Sequence, residues 1–301
     1  MAILTPRRRF LTGALGLAGA GLLGGCDRFA GTGAGRRTLR LGEDANLFVQ
    51  RLLLSPASLA REFPDSAISP WFKPNGTIDP PDRDYRALAA AKFADFKLAV
   101  DGLVERPLAL GLSDLRALPA RSQTTRHDCV EGWSCIGRWT GAPLSEILTR
   151  AGLKPQARYV VFHCADTLEY AGGGLEGARL RPETPTQVRH VQVAAAGDGA
   201  DDWGGAEPET EAPDTRRPIR YYESVDLVDA VHPQTILAYD LNGTPLPVGN
   251  GAPLRLRLER QLGYKMAKYV MRIEVVASLA GIGEGLGGYW EDRGYEWYAG
   301  I

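Results

Sequence analysis

The sequence holds little that would support the common active-site chemistries. It has four cysteines and four histidines in 301 residues. That few cysteines cannot staple a chain of this size, so a disulfide scaffold is excluded. His127, His163, His190 and His232 show no helical metal-ligand spacing, and HExxH is absent. No two cysteines form CxxC, and the Cys129–Cys135 spacing suits no ordinary zinc site. A GxSxG elbow, a phosphate-binding P-loop and a haem-attachment CxxCH are all missing. The glycines at 172–174 and 281–288 lack the strand-turn-helix setting of a dinucleotide fingerprint. Net charge is small as well. Lys+Arg 35 against Asp+Glu 36 gives −1, which leaves no basic footprint for nucleic acid. No apolar run reaches the ~18 residues of a membrane-spanning helix.

What is present is ordinary globular composition, 44% hydrophobic and 24% charged. The first 25 residues stand apart. Arg7, Arg8 and Arg9 precede a short Gly-diluted apolar stretch from Phe10 to Leu23, the pattern of an export signal. The arginines followed by Phe10 and Leu11 resemble a twin-arginine signal, a route that carries folded proteins. Leu22–Cys26 resembles a lipoprotein box, with Cys26 the lipid-bearing residue and Asp27 the mark of inner-membrane retention. The other reading is a cleaved signal followed by a chance cysteine. Residues 26–38 are rich in Gly and Arg and read as a tether, and residues 39–301 as the domain.

Within the domain, apolar spacing predicts a helix over Ala45–Ala60. Prolines at 70, 74, 80 and 81 make residues 69–86 coil. Strands are expected at Phe96–Val100, Arg158–Cys164, Thr235–Tyr239, Leu254–Leu258 and Tyr269–Val276. Strict alternation puts Arg255 and Arg257 on one face. Short helices are expected at Asp114–Leu118, Pro143–Ala151 (closed by Gly152) and Val225–Val231, and Asn242-Gly243 signals a hairpin. Residues 165–218 show no periodicity. Within them 197–217 is an acidic, low-complexity insertion that accounts for the mature chain's negative balance. It reads as a solvated loop or as a docking arm for a cationic partner. The aromatic tail after Gly281 reads as core packing or as a docking face. Short helices between dominant strands indicate an α+β class with a mixed sheet or barrel.

One cysteine stands in a suggestive setting. Cys129 lies in Arg126–Ser134, behind Arg126 and His127. Flanking cations would lower a thiol's pKa and suit it to a soft or high-valent metal. A buried structural cysteine is the equal alternative on these residues alone.

Arg126–Ser134, followed by Trp139 and Gly141–Leu144, resembles the molybdopterin-binding domain of the sulfite oxidase superfamily. Two further blocks follow in the same order, Leu241–Pro247 with Asn250–Leu256, and Gly263–Tyr269. The resemblance covers roughly residues 95–276 and is closest to the branch of the periplasmic methionine sulfoxide reductase catalytic subunit. It implies a sulfite-oxidase-type molybdopterin domain and one molybdenum–molybdopterin cofactor per chain, with Cys129 as the metal's thiolate ligand. It implies that Asn250, Arg255, Met266, Ala267 and Lys268 line the pterin and its phosphate. Cys164 falls where the family has a cofactor-contacting Thr, and Asn46 matches an N-terminal cofactor Asn loosely. Glu131 should face the metal pocket, and Tyr222 and Arg126 should hold substrate. Buried phosphate needs fixed cations, and Arg255, Lys265 and Lys268 are expected to supply them.

The Arg pair that animal and plant sulfite oxidases carry after the ligand is missing. Trp133 and Ser134 stand at those positions, and Glu131 beside them would repel a sulfite dianion. The C-terminal immunoglobulin-like dimerisation domain is not expected, which suggests a monomer. The implied activity is periplasmic oxygen-atom transfer on a small S- or N-centred substrate, with sulfoxide or N-oxide reduction favoured. Electrons would pass through a separate membrane or periplasmic cytochrome. Sulfite oxidation and a catalytically silent binding lipoprotein are the alternatives.

Overall fold

The computed structural model describes Phe29 and residues 32–171 and 217–301. The signal, Cys26 and residues 197–216 of the acidic insertion lie outside the described residues. The chain divides into two units, Met1–Asp166 with Arg220–Ile301, and Thr167–Ile219. The second contributes only the ends of two strands to the described residues.

Among the described residues, ten strands form two sheets. The first runs in the order β2 (Leu108–Leu110), β1 (Leu98–Gly102), β10 (Val270–Val276), β5 (Tyr159–Ala171), β6 (Arg217–Asp226). β1 and β10 are parallel, while β2 and β5 join them antiparallel, so the sheet is mixed. Alternation decides its inner face. Leu98, Val100, Ile273 and Val275 are fully buried, with half-buried residues between them. β5 extends to Ala171 and β6 begins at Arg217, inside the stretch that showed no sequence periodicity. Cross-strand pairing carries these ends, and it leaves no periodic trace in one strand alone.

The second sheet is antiparallel. β3 (Arg121–Asp128) pairs β4 (Ser134–Pro143), and β4 pairs β7 (Ile236–Leu241). β7 then divides its other edge. Its start pairs β9 (Arg255–Arg257), and its end pairs β8 (Thr244–Pro245). The β7–β8 turn is Asn242-Gly243, with φ of 52° and 82°, as a tight hairpin requires. β9 is buried throughout, so alternation there sorts two buried faces rather than core from solvent.

Among the described residues, five α-helices lie between or before the strands: α1 (Gly33–Leu53), α2 (Arg83–Ala90), α3 (Leu112–Arg116), α4 (Leu144–Ala151) and α5 (Leu227–Ala230). α4 matches the expected span. It buries Leu144, Ile147, Leu148 and Ala151 at helical spacing, each large one contributing about 1.5–3 kcal/mol. α5 is shorter than predicted because Asp226 caps it, accepting from Asp229 N at 2.8 Å. α1 departs most from expectation. It starts at Gly33, takes in part of the expected tether, and stops at Leu53 rather than Ala60. Thr32 caps it, accepting from Gly35 N at 2.9 Å. The aromatic tail folds back, with Tyr289 and Tyr298 buried. The architecture is α+β, with mixed sheets and short helices.

Candidate cofactor and active site

Cys129 opens the loop of the β3–β4 hairpin. The register pairs His127 with Cys135 and Asp128 with Ser134. The loop is closed by Cys129 N–H to Trp133 O and Gly132 N–H to Cys129 O, both 3.0 Å. The thiol is half-buried. Burial pushes its pKa up, against the Glu131 backbone N–H and the nearby Arg255 and Lys73. The expected activation by its sequence neighbours fails for a geometric reason. Arg126 points outward and pairs with Asp128 at 2.9 Å, while His127 is buried and held neutral. Deprotonation of Cys129 at neutral pH therefore needs a cation of another kind, and a bound metal is one.

Below this loop lie four basic side chains, all buried. Two are neutralised. Arg257 pairs with Glu259 at 2.7 Å, and Lys265 sits between Glu223 (2.5 Å) and Glu291 (2.6 Å). Lys265 is thus removed from the expected phosphate cluster by its own carboxylates. The other two have only neutral acceptors. Arg255 donates to Asn250 O at 3.1 Å and Asn75 Oδ1 at 2.9 Å, and its Nε has no partner among the described residues. Lys268 donates to Asn75 O (2.6 Å), Thr77 O (2.5 Å) and Gly249 O (3.1 Å). Burial and the mutual repulsion of these cations show in their acidities. Arg255 is pushed down to about 9 by burial and Arg257, and Lys268 to about 7 by burial and Arg255. Asp166 opposes the Lys268 shift without an ion pair among the described residues.

The backbone presses close here. Gly251 has φ of 114°, and a side-chain carbon on it would come within 3.0 Å of Lys268 Cβ and Cγ. Gly263 lies flat on the His127 ring, where an added Cβ would stand 2.3 Å from Cε1. His127 is also stacked near Phe72 and Trp133, at 5.9 and 5.6 Å between centroids. Arg257 Nη1 stands 3.3 Å from His127 Nδ1. Met266 Sδ stands 3.2 Å from the same nitrogen, so Nδ1 faces both a donor and an acceptor. The buried Nε2 has no partner among the described residues. Two uncompensated buried cations, an unused guanidinium N–H and an unpartnered imidazole nitrogen together call for an anionic, hydrogen-bonding ligand. A pterin with a phosphate fits that donor set, and a soft metal fits the thiol above it.

The family model for the oxidoreductase molybdopterin binding domain matches residues 86–280. The chain belongs to that family. This molybdopterin-binding oxidoreductase is 33% identical over 297 residues to an Azospira oryzae protein provisionally named protein-methionine-sulfoxide reductase subunit YedZ1. The match covers 99% of this chain and 88% of that protein. It is 31% identical to the protein-methionine-sulfoxide reductase catalytic subunit MsrP of Xanthomonas campestris pv. campestris, over 64% of this chain and 49% of the relative. The chain thus spans about half the length of that relative. The solved sulfane dehydrogenase SoxCD of Paracoccus pantotrophus aligns at 19% identity and TM-score 0.41, covering 61% of this chain and 39% of that one.

Of the residues expected at a cofactor site, the structure brings together Cys129, Asn250, Arg255, Met266, Ala267 and Lys268. Met266 Sδ touches the His127 ring at 3.2 Å, and Ala267 O accepts from Leu256 N at 2.8 Å. Cys164 is fully buried opposite Val270, and its thiol is pushed well up by burial. Lys268 acts on it electrostatically, so it flanks the cluster as a neutral group. Glu131 is exposed at the loop and accepts from Trp133 Nε1 at 2.9 Å. Three expected residues fall elsewhere. Asn46 is exposed on α1. Arg126 faces away from His127 along β3. Tyr222 donates its hydroxyl to Asp292, and its charged neighbours are Glu291 and Glu223.

Sequence reasoning missed Asn75, Thr77, Lys73 and Phe72. They lie in the proline-rich stretch read only as coil. Asn75 and Thr77 act on Lys268 through main-chain carbonyls, which every residue type carries, and the side-chain amide of Asn75 reaches Arg255 from 180 residues away, so no local pattern marks either.

Proposed function

We propose that this oxidoreductase reduces sulfoxides, with N-oxides as a second substrate class, in the periplasm. Two electrons and two protons convert the sulfoxide to a thioether and water. The names of the Azospira and Xanthomonas relatives support the sulfoxide class. The observation in this chain that carries the reading is the rim above Cys129. Exposed Glu131 is tied to Trp133, and Lys73 lies over the Trp133 ring at 5.0 Å. That rim offers an aromatic face and one charge of each sign, which suits a neutral dipolar substrate better than a sulfite dianion.

The bound molybdenum centre supplies the oxygen-atom transfer itself. Cys129 would ligate the metal. Arg255, Lys268 and Asn250 would hold the phosphate, and His127 Nε2 and the Met266–Lys268 segment would hold the pterin. Glu131 and Lys73 stand on the solvent side of the thiol, where the consumed protons enter. Electrons would come from a separate cytochrome, since no haem-attachment motif occurs in the chain. Arg7–Arg9 support export by the twin-arginine route, and Leu22–Cys26 support a lipid anchor on Cys26.

The test is steady-state turnover of holoenzyme with sulfoxides, N-oxides and sulfite, alongside Cys129→Ser. Sulfoxide reduction should dominate, and the variant should lose roughly a hundredfold or more in rate. Faster sulfite oxidation would replace the reading. Substantial oxo transfer by Cys129→Ser would remove Cys129 as the metal ligand.

A further inference from the structure

α1 has two faces of opposite kind. One is tied to the body by polar contacts. Glu43 accepts from Trp297 N at 2.6 Å and Tyr298 N at 3.3 Å, and Gln50 Nε2 donates to Gly300 O at 3.2 Å. Arg51 pairs with Asp226 and Asp229, both at 3.0 Å. The other face carries Leu41, Ala45, Phe48, Val49, Leu52 and Leu53, spaced at three, four and seven residues. Phe48 is 67% exposed, Leu52 70% and Leu53 75%. An aliphatic and aromatic stripe of this length normally faces a core, yet no described residue covers it.

We propose that α1 lies on the surface of an anionic lipid bilayer, with this stripe sunk among the acyl chains. Length and composition support that occupant. The helix has 21 residues, but no described helix is long and apolar enough to cross a membrane. A strongly two-faced helix of low mean hydropathy lies in the interface instead. Charge agrees. Arg37 and Arg40 are exposed on the N-terminal half, with Asp44 the single exposed acid of the helix. Basic side chains beside an apolar stripe favour anionic headgroups. Shape agrees too. The stripe is a convex ridge of side chains that cannot hydrogen-bond. A fluid bilayer accepts such a ridge, whereas a protein partner would need a matching groove. Residues 26–32 lead directly into the helix, so a lipid on Cys26 would reinforce the same surface without being required for it.

The test uses full-length holoenzyme carrying Cys26→Ala, so that acylation cannot contribute. Flotation is measured with phosphatidylcholine vesicles, with and without phosphatidylglycerol. The chain should float with the anionic vesicles and less with the zwitterionic ones. Adding Phe48→Glu and Leu52→Glu should cut the bound fraction at least tenfold while leaving molybdenum content and turnover unchanged. As a local readout, Phe48→Trp should add fluorescence that bromine-labelled acyl chains quench. No flotation overturns the proposal. So does flotation undiminished in the double variant, or a reporter at position 48 that stays unquenched. Loss of a co-purifying membrane protein in the double variant, without vesicle binding by the parent, replaces it with a protein partner.

Discussion

Lys268 should make the apoprotein's stability depend on pH in a way that cofactor loading erases. An unfolded lysine keeps its proton up to 10.5, whereas the folded one releases it near 7 because burial and Arg255 disfavour the charge. Between those values the unfolded chain binds more protons, so stability rises with pH. From about pH 6 to about pH 9 the rise attributable to Lys268 is roughly 2–3 kcal/mol, at about 1.4 kcal/mol per unit. The assay is urea unfolding of apoprotein across that range, for wild type and Lys268→Met. Wild type should gain those few kcal/mol relative to the variant. Holoenzyme should show no such gain, because a phosphate beside Lys268 restores the proton in the folded state. Parallel pH profiles for wild-type and variant apoprotein would refute the reasoning, since Lys268 would then titrate alike in both states.

Three other substitutions probe separate parts of the site. Lys265→Met strands Glu223 and Glu291 in a buried position and should cost about 3–5 kcal/mol in urea unfolding. Gly263→Ala should displace the His127 ring, lower molybdenum retained per chain, and cost about 1–3 kcal/mol. Tyr222→Phe removes the hydroxyl given to Asp292. It should cost about 1 kcal/mol of stability and leave the sulfoxide KM unchanged; a raised KM would restore Tyr222 to the substrate pocket.

The strand that carries the buried arginines was legible because short-range pattern specifies it, whereas Cys129 was singled out by the resemblance. Alternation placed Arg255 and Arg257 on one face of β9, and both are buried there. Helix α4 was legible for the same reason, its apolar spacing ending at a glycine. What was hidden depends on distant partners. Nothing local marks Lys265 as neutralised, since Glu223 and Glu291 reach it from remote segments. Nothing local shows that Arg126 faces away from the site, because the β3–β4 register decides it. Asn46 sits in a helix whose start was misplaced by reading Gly and Arg as a tether. Thr32 capping and docking against the tail override those weak propensities.

The buried pair Arg255 and Lys268 stands at a seam. Arg255 belongs to β9 of the antiparallel sheet, while Lys268 leads through Tyr269 into β10 of the mixed sheet. The crossing is sewn by Leu256 N to Ala267 O at 2.8 Å and Val270 N to Leu254 O at 3.1 Å. A single anion gripped by both side chains would therefore clip one sheet to the other. Loaded protein should melt as one calorimetric transition, with van't Hoff and calorimetric enthalpies equal. Without that clip, the crossing still keeps Tyr269 N to Gly251 O at 3.1 Å and the buried side chains of Leu254, Leu256 and Val270, so the anion would reinforce a seam that backbone and core already hold.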